Sequence, residues 1–274
     1  MSRRFIEIAA LTDAGSVRQF NEDSIVADPD LGVAVLADGM GGHRAGEVAS
    51  RMAAQVMFDR LHAHITGFRS TAGPHSSLQA VDESINRANR AVFDAARAQS
   101  SYHGMGTTLA VTLFYDNRVA LGHIGDSRIY RLRDGVLTLL TRDDSLLRDE
   151  IDLGLISAED AGESHNRSLV TRALGIEERV RAHLTEDDAR GGDIYLLCSD
   201  GLSDLVDEAD IELIVGGLQP NLPLAASHLV QAAKDNGGYD NVSVILARVL
   251  QPFSAASQQR WTLRWFGWLH GTGR

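Results

Sequence analysis

Between Thr107 and Leu140 the chain reads TTLAVTLFY, RVALGHI, SRIYRL and VLTLL, with Asp116-Asn117 and Asp134-Gly135 as the principal breaks. Short apolar, β-branched and aromatic runs punctuated by such pairs are successive strands joined by tight turns, so the middle of the chain forms an antiparallel sheet. A chain that commits its centre to a sheet of this kind must place its helices outside it.

Two helical stretches precede this sheet. From Arg44 to about Ile65, Val48, Met52, Val56 and Leu61 recur near helical spacing, and over about 77–99 Val81, Ile85, Ala88, Val92 and Ala95 line one face. A Gly-, Ser-, Thr- and Pro-rich break at 67–76 separates them. Strands are expected before them at 5–11, about 24–28 and 32–37, the last carrying VAVLADGMGG. After the central sheet comes a polar, irregular insertion, 142–168, with a short helix at its centre; long insertions in compact domains usually serve function. Strands at about 180–185 and 193–198, helices at 207–217 and 222–235, and a last strand VSVILARVL complete an α+β order. Sheets packed on each other with helices outside are the expected architecture.

With 274 residues, 44% of them hydrophobic, and no compositional break, residues 1–250 are expected to form one domain. The net charge of −11 excludes a non-specific nucleic-acid binder and suits a protein that holds cations. Cys198 is the only cysteine, so no internal disulfide forms and a reducing compartment is indicated. Glu7 interrupts the first apolar run, and no stretch has the length to span a bilayer; a cytoplasmic, monomeric protein is expected. The tail, 251–274, differs from the rest: Trp261, Trp265, Trp268 and Leu269 fall at helical spacing beside Arg260, Arg264 and Arg274. Such a segment docks a partner, lies on a membrane surface, or packs on its own domain.

Acidic residues mark the ends of the apolar strands. Asp38 follows VAVLA, Asp126 follows ALGHIG, Asp200 follows IYLLCS, and Asp240 precedes the last strand in GGYDNVSVIL. Asp134-Gly135 is a plain hairpin turn, but Asp38 and Asp200 run on into helical segments. If the sheets gather these ends, four carboxylates repel one another at neutral pH unless cations bind. An all-oxygen set selects magnesium or manganese. Two ions bridged by a shared carboxylate activate water and clamp a phosphoryl group, which points to phosphate hydrolysis. Arg18, in GSVRQFNEDS, offers a planar fork for the phosphate, and Glu22 and Asp23 are placed to accept hydrogen bonds from metal-bound waters.

GSVRQFNEDS, ADGMGGHRAG, GMGTTLAV, HIGDSRIYRL, LVTRALG, LLCSDGLSDL and GGYDNVSVIL together resemble the bacterial metal-dependent serine/threonine protein phosphatases of the 2C type. The resemblance spans about residues 5–250 and implies a β-sandwich of two antiparallel sheets flanked by helix pairs, with a metal centre at one edge. It implies that Asp38 bridges two metals, that the Gly39 carbonyl ligates one, and that Asp200 and Asp240 complete the other. Asp126, with Asp200, would hold a weaker third ion, Arg18 would bind phosphate, and 142–168 would form a flap near the substrate. The substrates implied are phosphorylated proteins, with a serine/threonine kinase as the opposing enzyme.

Two positions depart from the family. Animal members carry a histidine after the Asp-Gly pair, proposed as the acid for the leaving alcohol; here it is Met40, as in many bacterial members, and His43 reads as a solvated loop residue. Metal-bound water is then the alternative donor. Asp144 stands where many bacterial members have histidine, which bears on the flap. A catalytically silent scaffold is the alternative reading, and the intact ligand positions argue against it. Cys198 begins CSDGLSD without the arginine a cysteine-based phosphatase needs, and GMGTT lacks the P-loop lysine.

Overall fold

Both faces of the central strands are apolar because both are covered. The computed structural model describes residues 5–42, 44–67, 76–157 and 169–253. The expectations for His43, most of the 67–76 break, 158–168 of the insertion, and the tail beyond Phe253 lie outside the described residues.

One sheet has the order β1-β11-β10-β7-β8, built from β1 (Ile6–Asp13), β11 (Val242–Val249), β10 (Ile194–Cys198), β7 (Arg128–Arg133) and β8 (Val136–Leu139). The other has the order β2-β3-β5-β6-β9, from β2 (Asp23–Asp28), β3 (Val33–Met40), β5 (Leu109–Tyr115), β6 (Arg118–Ile124) and β9 (His183–Asp188). A two-residue strand, β4 (Gly106–Thr107), also pairs with β3. All these pairings are antiparallel. The β5–β6 and β7–β8 hairpins close on two residues each with positive φ, Asp116 (43°) and Asn117 (59°), and Asp134 (53°) and Gly135 (83°). That is the primed turn whose twist matches the strands.

Alternate residues of β3 serve different layers. Val33, Val35 and Ala37 pack with Met57 and Leu61 of α1 (Ala45–Gly67) and with Val81, Ile85 and Val92 of α2 (Ser76–Ala98). Ala34 and Leu36 instead meet Leu197, Ile245 and Ala247 between the sheets. On the far side, Leu196, Val244 and Leu246 pack against α5 (Glu208–Gly217) and α6 (Leu222–Asp235), including Ile211, Val215 and Leu229. Three apolar cores therefore separate four layers, and the order expected from sequence, a two-sheet sandwich between helix pairs, is the observed one.

Two boundaries differ from expectation. The strand expected at about 180–185 begins at His183, because Val180 and Ala182 pack toward the α1/α2 core before the pairing with β6 starts. The polar sequence of β9 drew little strand signal, and at a sheet edge it needs none. β3 also continues through Asp38 to Met40, where β4 pairs with it, so Asp38 lies inside the strand rather than at its end. Among the described residues no helix is long and apolar enough to cross a membrane.

Candidate metal centre

The row of residues that faces the opposite sheet on β3, Ala34 and Leu36, continues to Asp38 at the sandwich edge. Its backbone is fixed from the neighbouring strand: Asp38 N–H donates to the Thr108 hydroxyl (3.0 Å), and its carbonyl accepts from Thr108 N–H (2.9 Å) and the Thr107 hydroxyl (2.8 Å). The Thr108 hydroxyl also lies 2.7 Å from that of Ser127, so the strand bearing Asp38 is tied to the turn bearing Asp126.

Asp23 stands directly opposite Asp38 in the β2–β3 ladder and is buried. Its Oδ2 accepts from Ser243 (2.6 Å) and Ser199 (2.9 Å), both contributed by the other sheet's strand ends. Asp200 is the first residue of the short helix α4 (Asp200–Ser203), which follows α3 (Leu146–Asp152) of the insertion in chain order. Any side chain at Gly201 would put a Cβ 2.0 Å from the Asn241 carbonyl oxygen, so the glycine lets α4 start against the segment that carries Asp240. Gly39 plays the same part on the other side: a Cβ there would fall 2.2 Å from the Gly46 carbonyl oxygen, in the first turn of α1.

Asn241 was not singled out from sequence, yet it assembles this edge. Its side-chain amide donates to the carbonyls of Ala14 (3.1 Å) and Phe20 (2.9 Å), and its Oδ1 accepts from Glu22 N–H (2.7 Å). The loop 14–22 is thereby held on Asp240, and Arg18 Nη2 reaches Asp240 Oδ2 at 2.7 Å. The signal was an amide placed between Asp240 and an apolar strand, a position that must satisfy several polar valences. Ser199 and Ser243 carried no signal of their own.

The electrostatics follow from this crowding. Burial, then the charges of Asp23, Asp200 and Asp126, hold the Asp38 carboxyl well above the usual carboxylate range. Asp200 is raised likewise, by burial and then by Asp126 and Asp240. Burial and Asp143 push Asp126 up to about 7. Asp23 rises to about 6 by burial, although the hydroxyls of Ser243 and Ser199 oppose the shift. Glu22 is raised mainly by burial, and the bond to Asp240 raises Arg18. The expected site residues are thus brought to one edge: Asp38, Asp126, Asp200 and Asp240 as carboxylates, Gly39 beside them, Asp23 beneath, Arg18 and Glu22 at the rim.

Two carboxylate oxygens there, Asp23 Oδ1 and Asp200 Oδ1, are buried without a hydrogen-bond partner. Among the described residues no three acid, histidine or cysteine side chains are already closed into a metal cage. The acids are gathered but not closed, and carboxylates so placed are stabilised by cations. A cleft of about 450 Å³ opens beside Asp126 and Asp200, lined also by Arg128, Asp143, Ser203 and Asp204. Cys198 is buried, with its thiol pushed up to about 12, and contributes no nucleophile.

A family model described as protein phosphatase 2C matches residues 14–223. The chain is 43% identical over 247 residues to the serine/threonine protein phosphatase PstP of Mycobacterium tuberculosis, covering 89% of this chain and 45% of that protein. It therefore spans less than half the length of this relative. To the serine/threonine phosphatase stp of Listeria innocua it is 35% identical over 238 residues, 86% of this chain and 92% of that protein. Among solved structures, the catalytic domain of PstP in complex with two manganese ions superposes with a TM-score of 0.79 at 40% identity, covering 90% of this chain and 99% of that one. The phosphatase Stp1 of Staphylococcus aureus gives 0.79 at 30% identity, over 89% and 95% of the respective chains. Together with the two-sheet sandwich and its acidic edge, these matches establish that the chain belongs to the protein phosphatase 2C family.

Proposed function

We propose that the protein hydrolyses phosphoserine and phosphothreonine in proteins, using manganese or magnesium held at the acidic edge. The observation that carries this reading is the mutual pressure of Asp23, Asp38, Asp126 and Asp200, with two of their oxygens buried and unpartnered. Such a set fits hard divalent cations, and the solved manganese complex of PstP, 40% identical, supports the same choice.

Asp38 and the Gly39 carbonyl, with Asp200 and Asp240, would hold two ions, and Asp126 with Asp200 a weaker third. Bound there, divalent ions would supply an acidified water and charge neutralisation for in-line attack on phosphorus. Asp23 lies under Asp38 with Oδ2 already engaged by two hydroxyls, which leaves its unpartnered Oδ1 as the oxygen that, with Glu22, would orient water. Arg18 presents a half-exposed guanidinium that rests on Asp240 and can turn its fork to a phosphate dianion. Met40, opposite Gly106 in the ladder, has no proton to give, so the leaving alcohol must be protonated from another group.

Exposed apolar side chains, Val17, Phe20 and Tyr239, surround Arg18 and Asp240 and suit a polypeptide rather than a small phosphate ester. A protein phosphatase needs a source of its substrate, so a serine/threonine kinase is the implied counterpart. The retained carboxylates favour an enzyme over a silent scaffold.

The test is phosphate release from a phosphothreonine peptide by the purified chain. Release with manganese that disappears in EDTA is expected; equal, negligible release in both would overturn the reading.

A further inference from the structure

Asp144 follows Asp143, whose side chain pairs with Arg128, but it points elsewhere and does not line the cleft beside Asp126 and Asp200. It is fully buried, and it joins three separate parts of the chain. Its N–H donates to the Gly125 carbonyl (2.7 Å), while Gly125 N–H donates to Asp144 Oδ2 (3.2 Å). Oδ1 accepts from Arg172 Nη2 (2.9 Å) and meets His183 Nε2 at 2.9 Å on β9. The Asp144 carbonyl accepts from Thr171 N–H at 2.8 Å.

These bonds clamp both ends of the insertion. Leu146 N–H donates to Leu169 O (2.8 Å), and Ser145 forms an isolated bridge with Val170, so the chain leaves and returns at one point, directly on Asp144. The residue clamped on the other side, Gly125, has φ 97° and immediately precedes Asp126. A Cβ on Gly125 would lie 2.7 Å from Thr108 Cγ2, so this peptide is wedged between the threonine that fixes Asp38 and the carboxylate of Asp144. Only an acceptor with several lone pairs can take the Gly125 N–H, the Arg172 guanidinium and the His183 ring together; a histidine offers one at most.

We propose that Asp144 is a positioning residue for Asp126: it fixes the Gly125 peptide from beneath and couples the orientation of Asp126 to the base of the 145–170 excursion. The proposal rests on the metal role of Asp126 given above. Removing the carboxylate frees Arg172 and His183 and leaves the turn held by the Asp144–Gly125 backbone bond and the Thr108–Ser127 hydroxyl contact. A neighbour that orients a metal ligand is commonly worth about tenfold or more in metal affinity.

A double-mutant cycle read by calorimetric titration of manganese into the full chain tests this. Asp144→Asn, which keeps shape and one acceptor but loses the charge, is expected to weaken the Asp126-dependent binding phase about tenfold. In an Asp126→Asn background the same change is expected to have no further effect on manganese binding, because its target is gone. Wild-type affinity in Asp144→Asn, or an equal loss with and without Asp126, overturns the proposal. So does manganese binding that Asp126→Asn leaves untouched, and that result leaves hydrolysis at the Asp38 centre standing, since the phosphopeptide assay is separate. If Asp144→Asn does not fold, Arg172→Met, at a residue whose side chain is 42% exposed, runs the same cycle with the same expected and overturning results.

Discussion

Asp23 and Asp38 oppose each other across the β2–β3 ladder, an arrangement in which like charges ordinarily destabilise a sheet. Burial raises both, so the metal-free fold is strained by the groups that would bind the ions. A carboxyl whose folded pKa lies above its unfolded value costs stability at every pH above the unfolded one. Asp38→Asn removes that cost, and in EDTA at pH 7 it is expected to melt a few degrees above wild type, about 2–4 °C per kcal/mol for a domain of this size. Added manganese should then raise the melting temperature of wild type and leave the variant nearly unmoved. A variant that melts lower than wild type in EDTA would refute this account. His123 carries the opposite sign. Burial lowers its imidazole to about 4, and both ring nitrogens lack partners. Its contribution is intact above about pH 6.5 and is lost as pH falls toward 4, a loss on the order of 3 kcal/mol. Urea unfolding of His123→Leu should show a shallower fall in stability between pH 6.5 and 4 than wild type; identical slopes would count against the assignment.

At the scale of elements, the approach of α1 to β3 decides whether the Gly39 carbonyl is available. A Cβ on Gly46 would sit 2.7 Å from the Gly39 carbonyl, backbone against backbone, with nothing flexible to yield. Gly46→Ala should therefore cost about 1–3 kcal/mol in urea unfolding, the usual cost of overpacking, and should weaken manganese binding as well. A stability unchanged from wild type would mean that the helix slides without consequence. The apolar runs of β3, β10 and β11 and the helical faces of α1 and α2 are local patterns, so those elements were readable in the sequence, as were the primed turns at Asp116-Asn117 and Asp134-Gly135. Asp126, Asp200 and Asp240 adjoin buried strands and Asp38 lies near the end of one, so the sequence could raise the convergence of all four without settling it. The parts that hold them, Asn241, Ser199, Ser243 and Thr108, were not. Their partners lie far away in sequence, as Asn241 does from Glu22, and short-range pattern cannot register such pairings. β9 was displaced for a related reason: an edge strand is specified by its pairing with β6 more than by its own composition.

At the scale of the whole molecule, the net charge of −11 would repel the anionic phosphoprotein of the proposed reaction, so its recognition would have to be local. The loop held by Asn241 would supply the means on one side of the acidic edge. Arg18 sits between Val17 and Phe20, which are 66% and 50% exposed, and the Arg44 guanidinium lies 4.9 Å from the centre of the Phe20 ring while pairing with Glu47. The ring is thus held open to solvent by a cation–π contact rather than folded inward, and Arg44 itself has a φ of 107°. An aromatic kept exposed beside Arg18, the arginine proposed to bind phosphate, is placed to cover an apolar residue adjacent to the phosphorylated one. Burying part of such a ring is worth about 1.4 kcal/mol, or tenfold in kcat/KM. Phe20→Ala is therefore expected to lower kcat/KM about tenfold for a phosphothreonine peptide with leucine next to the phosphoresidue, and to change little for the same peptide with serine there. Hydrolysis of p-nitrophenyl phosphate, which does not reach the rim, should keep its rate. Equal losses on the two peptides and the small ester would place Phe20 in the support of Arg18 instead, and no loss on any of them would remove the rim from substrate recognition.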